Sequence, residues 1–192
     1  MTSEHTTIVA NRSMMTLTGG LAGLSAWLLI EILPDHVTNT HLLLTLVAMV
    51  SGFFSVLLAI SGPVSIRMAA LGAAVLALGA ALLLAWASFR YDTVEPFLES
   101  GFAMAAWGTI LCIGTPFVAV RLWNKQYWIS YLDLFEFSWS IVVRYAAAWL
   151  FVGVFWVVVF LSDALLSLVS INWIEDLLDI DVVPFLLTGA VL

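Results

Sequence analysis

Residues 68–87 read MAALGAAVLALGAALLLAWA, twenty consecutive positions with no charge and a single polar group, the Trp86 indole. A hydrocarbon layer of about 30 Å takes roughly 20 helical residues at about 1.5 Å rise each. The stretch therefore has the length and polarity of a membrane crossing. Its Ala69, Ala73, Ala77 and Ala81 recur every four residues. That spacing puts four small side chains on one helix face and lets a neighbouring helix approach closely.

Outward from this span the same pattern repeats. Residues 14–33, 42–60, 102–120 and 141–171 are the other candidate crossings, and Asp163 is the main interruption of the last. The first is expected to stop at Pro34, and Gly19 and Gly23 give it a small-residue contact face. Ser61-Gly62-Pro63 separates the second span from the third, with Ser61 expected to cap the following helix and Pro63 to lie in its first turn. A sixth apolar segment opens at Val182 after Asp181 and runs to Leu192. Its 11 residues cover only about 17 Å as helix, too little to cross. It reads as a crossing cut short, and the chain as a fragment of something longer. The expected fold is an all-α integral membrane bundle of five transmembrane helices plus a truncated sixth. Residues 1–13 form a tail and residues 14–192 the membrane domain.

Composition agrees with that architecture and excludes several function classes. The chain is 63% hydrophobic and 10% charged, against about 25% charged residues in an ordinary soluble domain. Six Lys and Arg in 192 residues make no nucleic-acid surface. The lone Cys112 lies in an apolar run, which rules out an intrachain disulfide.

The charges sort by side. Arg12, Arg67, Arg121, Lys125 and Arg144 fall at or next to one set of ends, and Arg90 alone falls in the alternate loops. The excess of basic residues marks the cytoplasmic side, so the N-terminus is expected inside. Asp35, Asp92, Glu95, Glu99, Glu175, Asp176, Asp179 and Asp181 then lie outside, and the net charge of −7 belongs to one face. A cytoplasmic N-terminus leaves the Asn11-Arg12-Ser13 sequon without significance.

Two segments look interfacial. Residues 123–139 hold Trp123, Tyr127, Trp128, Tyr131, Phe135, Phe137 and Trp139, while Lys125, Gln126, Asp133 and Glu136 share one arc of the helical wheel. That is the pattern of a helix lying in the cytoplasmic interface. Trp128, Tyr131, Phe135 and Trp139 are the candidate interface residues, serving either to anchor the fifth span or to dock a partner. Residues 173–181 place Trp173, Ile174, Leu177, Leu178 and Ile180 opposite Glu175, Asp176 and Asp179. This second amphipathic element is expected to cap the bundle on the outer side.

No catalytic, cofactor or metal motif stands out, so none of these is expected. Charges inside a bilayer cost about 2.5–3.5 kcal/mol at a helix centre, which makes them functional suspects. Glu31, Arg90 and Asp163 all map toward the outer leaflet, where an ion pair between helices or an ion or solute site is conceivable. Gly114-Thr115-Pro116 interrupts the fourth span, and Pro116 removes the hydrogen bond to the Cys112 carbonyl. Broken helices build transporter sites, whereas a proline kink repaired by a nearby hydroxyl is the plainer reading. Asp163, Glu31, Arg90 and Pro116 are thus the candidate ion or solute site. Asp179-Ile180-Asp181 lacks the glycine turn of a calcium loop, and His36 and His41 lack zinc spacing. No histidine falls in any expected span, which disfavours an intramembrane protease.

The last third also carries a resemblance. Residues 131–139 (YLDLFEFSW) with Val143-Arg144, then Ser162-Asp163-Ala164-Leu165-Leu166, residues 174–181 (IEDLLDID) and residues 184–190 (PFLLTGA) resemble bacterial multi-pass proteins designated domain of unknown function 4153. The resemblance covers roughly residues 125–192, while the first hundred residues match in hydropathy and helix spacing alone. It implies a protein of the bacterial inner membrane with further spans downstream, and supplies no activity or catalytic residues. The leading functional reading is a transporter or channel component for an ion or small solute. The alternatives are a non-enzymatic scaffold or assembly protein and a membrane enzyme with its catalytic part beyond Leu192. The expected partners are the bilayer and other membrane subunits or further helices of the same protein.

Overall fold

The computed structural model describes residues 16–61, 64–124, 130–167, 177–178 and 180–191. Among them there is no strand. Helix α1 spans Thr16–His36, α2 Thr40–Ile60, α3 Ile66–Ser88, α4 Val94–Glu99, α5 Phe102–Asn124, α6 Tyr131–Ser167 and α7 Val182–Val191. Within the described residues, α1, α2, α3, α5 and α6 are long and apolar enough to cross a membrane.

Several boundaries differ from expectation, each for a local reason. Helix α1 runs through Pro34 to His36 after a π-turn at Leu28–Ile32. Pro34 has no N–H to offer the Ile30 carbonyl, and the wider turn just before it lets the chain stay helical. Asn39 opens α2, its side chain accepting from the His41 and Leu42 amides at 3.1 and 3.3 Å. Ser61 closes α2 instead of opening α3: its amide returns to the Leu57 carbonyl and its hydroxyl donates to the Leu58 carbonyl at 3.1 Å. Ser65 occupies the N-cap of α3 without a side-chain cap bond. Gly62 and Pro63, the start of span one and the sequon fall outside the described residues, as does most of the element expected over 173–181.

The largest difference concerns the aromatic segment. Tyr131–Trp139 is not a separate helix, because it forms the first turns of the 37-residue α6. Apolar spacing continues without a breaker from Leu132 into Val143, so the helix has no reason to stop. Lys125, Gln126, Tyr127 and Trp128 lie outside the described residues. Helix α4, a single turn and a half between α3 and α5, was not legible in the sequence; it buries Val94 and Phe97, three apart, and exposes Glu95 and Glu99.

The chain divides into two compact units, one of Leu29–Val143 and one of Met1–Leu28 with Arg144–Leu192. In the first, α2, α3 and α5 pack around the alanine face of α3, where Ala69, Ala73 and Ala77 are 0% exposed. Val56, Leu57 and Ile60 of α2 and Leu111 and Ala119 of α5 fill against them. Cβ atoms on Gly72 and Gly114 would press on Leu122 and Leu76 respectively, so the start of α3 lies beside the end of α5. Arg67 and Arg121 therefore stand at one end of this unit. A second cluster at the other end joins Leu44 and Ala48 to Ala81, Leu84, Val94 and Phe97.

In the second unit α1 meets α7 backbone to backbone. A Cβ on Gly19 would strike the Gly189 carbonyl oxygen, and one on Gly23 the Phe185 carbonyl oxygen. A Cβ on Gly189 would lie 2.9 Å from both N and Cα of Gly23. The Trp156 indole of α6 donates to Thr188 Oγ1 of α7 at 3.1 Å.

Candidate functional site

The residues singled out for an ion or solute site are not gathered at one place in the Leu29–Val143 unit. Glu31 is exposed in the π-turn of α1. Arg90 has an aromatic partner in place of a carboxylate: its guanidinium carbon lies 5.6 Å from the centre of the Trp86 ring. The two residues are four apart, one helical turn, where side chains meet. Pro116 is buried within an unbroken α5. Thr115 Oγ1 donates to the Leu111 carbonyl at 2.6 Å, so the hydroxyl beside the proline binds backbone in the same turn. Pro116 is thus carried inside a continuous helix beside a hydroxyl bonded to the backbone, the plainer of the two arrangements expected for it. Asp163, in the other unit, is half-buried on α6 beside Ser162, whose hydroxyl returns to the Val158 carbonyl at 2.7 Å.

Tyr131, Phe135 and Trp139 fall on one stripe of α6, four residues apart, and are 81%, 59% and 63% exposed. Phe137 turns the other way and meets Trp123 at 6.0 Å between ring centres. Trp128 lies outside the described residues. Both described histidines are engaged through Nδ1. That of His36 must donate to the Ile32 carbonyl, at 2.9 Å, because a carbonyl only accepts. Ser88 Oγ gives its one proton to the Ala85 carbonyl at 2.7 Å, so at 3.1 Å it accepts from His41 Nδ1–H. No group of three metal-ligating side chains occurs among the described residues.

Sequence reasoning missed a groove of about 550 Å³ within the Leu29–Val143 unit. Ala80, Leu84 and Ala87 of α3, Phe97 of α4, and Ala103 and Trp107 of α5 line it. α3 and α5 both present alanines to it, and α4 contributes the Phe97 ring. Tyr91 and Ser100 stand at the same end, the Tyr91 ring 5.5 Å from that of Phe97. Leu83, Trp86 and Phe102 on the wall are 52%, 67% and 81% exposed, so the groove opens outward from the unit. Gly52 makes room for the Trp107 ring, whose Cζ2 lies 3.3 Å from where a Cβ would stand. The Trp107 Nε1–H is buried without an acceptor. The available sequence signal was Trp86 and Arg90 one turn apart, followed by Val94 and Phe97 three apart.

Comparison with protein-family models, with curated proteins and with solved structures finds no match.

Proposed function

We propose that the chain is an integral protein of the bacterial inner membrane, crossing it five times with its N-terminus in the cytoplasm, and that it works as a non-enzymatic scaffold for other membrane-embedded helices. One observation carries the reading: α3 sorts its side chains the wrong way round for water. Three small residues in one four-residue register, Ala69, Ala73 and Ala77, are fully buried, while Leu71, Val75, Leu82 and Trp86 are more than half exposed. In water the large side chains drive burial. Inside a bilayer the tails are as apolar as leucine, and close backbone packing between small residues decides the contact instead.

Helix α6 supports the scaffold role. Beyond the Tyr131, Phe135 and Trp139 stripe it leaves Trp149, Leu150 and Phe151 about two-thirds exposed, a long apolar surface suited to further helices. The basic ends at Arg67 and Arg121 support a cytoplasmic side. The resemblance of residues 125–192 to domain of unknown function 4153 supports the bacterial assignment. Purification from native membranes into lipid nanodiscs tests the role. Membrane proteins should accompany the wild-type chain and be lost from a Tyr131→Ala, Trp139→Ala variant; a chain isolated without companions contradicts it.

Asp163 favours a second reading, a component of an ion or solute pathway. A carboxylate on a membrane-length helix is costly, and such residues face pathways or partners. Loss of ion or solute flux in Asp163→Asn, with the companions retained, would move the assignment to that function.

A further inference from the structure

The groove between α3 and α5 lies at the end of its unit where the charges are mixed. Arg90 sits over Trp86, which forms part of the wall. Asp92, Glu95 and Glu99 are exposed on the turn and on α4, which also lines the groove. Arg90 makes no ion pair with these neighbours among the described residues, and its stacking on an indole face holds the guanidinium without using a carboxylate. We propose that the groove holds one acyl chain of phosphatidylethanolamine, with the lipid phosphate on Arg90 and its ammonium among Asp92, Glu95 and Glu99. The proposal rests on the membrane reading and names a ligand for the site that reading leaves empty of function.

The apolar lining fits a chain, and about 550 Å³ lies within the range of small-molecule sites, roughly 300–1,000 Å³. Shape alone does not select a lipid, since moving a chain from bilayer to groove gains no hydrophobic free energy. Selection falls to the headgroup. Guanidinium and phosphate pair through two parallel N–H···O bonds. An anionic headgroup would satisfy Arg90 but add negative charge beside three carboxylates. A zwitterion answers both signs, and a primary ammonium donates hydrogen bonds to carboxylates that a quaternary ammonium lacks.

The test is lipid retention by the full chain, reconstituted in vesicles of equal phosphatidylethanolamine, phosphatidylglycerol and phosphatidylcholine and then released for native mass spectrometry. One phosphatidylethanolamine per chain should be retained about fivefold above phosphatidylglycerol, and Arg90→Gln should lower that retention by about fivefold, the order expected for one interfacial arginine. Ala106 of α5 also lines the groove, and Ala106→Phe, which fills it, should abolish the retention. Neutralising Asp92, Glu95 and Glu99 to Asn, Gln and Gln should swing preference toward phosphatidylglycerol. Equal retention of the lipids, retention unchanged by Ala106→Phe, or no swing in the carboxylate variant overturns the proposal. Failure to reconstitute at all would instead contradict the membrane reading, so the two failures are distinguishable.

Discussion

Gly19, Gly23 and Gly189 show how much a single hydrogen in place of a methyl decides. The α1–α7 contact brings carbonyl oxygens to positions that a Cβ would occupy, and both partners are backbone, which cannot rotate away. Gly20, one residue from this contact, has nothing within 4 Å of a built Cβ. Alanine there should be neutral or stabilise by up to about 1 kcal/mol through helix propensity. Gly23→Ala should destabilise by about 1–3 kcal/mol, the usual scale of overpacking. Thermal unfolding of the two variants in one detergent checks the pair. Ser88 offers a second residue-scale test. Ser88→Ala leaves the His41 Nδ1–H without its acceptor and should cost about 1 kcal/mol. His41→Ala should erase most of that cost in a double-mutant cycle.

At the scale of the element, α3 was the most legible helix and the aromatic segment the least. The four-residue alanine period fixed which face of α3 is buried, because side-chain direction follows helical spacing directly. Ala77→Leu should therefore destabilise by about 1–3 kcal/mol. Leu71→Ala, at a position 64% exposed, should change stability by less than about 0.5 kcal/mol. The opposite result, a costly Leu71→Ala and a harmless Ala77→Leu, would return the helix to an ordinary soluble sorting. Helical wheels were a poor guide at residues 131–139, because amphipathic spacing says which side is polar and nothing about where a helix ends. With no proline or glycine between Tyr131 and Tyr145, α6 continues. The groove escaped the sequence for a related reason. It is lined jointly by α3, α4 and α5, a tertiary property, and α4 itself was not legible.

For the whole molecule the account depends on what surrounds it. Large apolar side chains are exposed on α3, α5 and α6, and alanines fill the centre of the Leu29–Val143 unit, an arrangement that lipid stabilises and water would not. Within the described residues, α2, α3 and α5 begin and end within a few residues of the expected spans, since each is an uninterrupted apolar run. The exceptions are α1 past Pro34 and the early start of α6. Cys112 offers the sharpest probe of this surrounding. It sits at the middle of α5 and is exposed in the folded chain. If α5 crosses a bilayer, lipid covers that thiol and keeps water-borne reagents from it. In intact membranes Cys112 should resist a charged, membrane-impermeant maleimide and react fully once the membrane is dissolved in denaturing detergent. Rapid labelling before the membrane is dissolved would contradict the account.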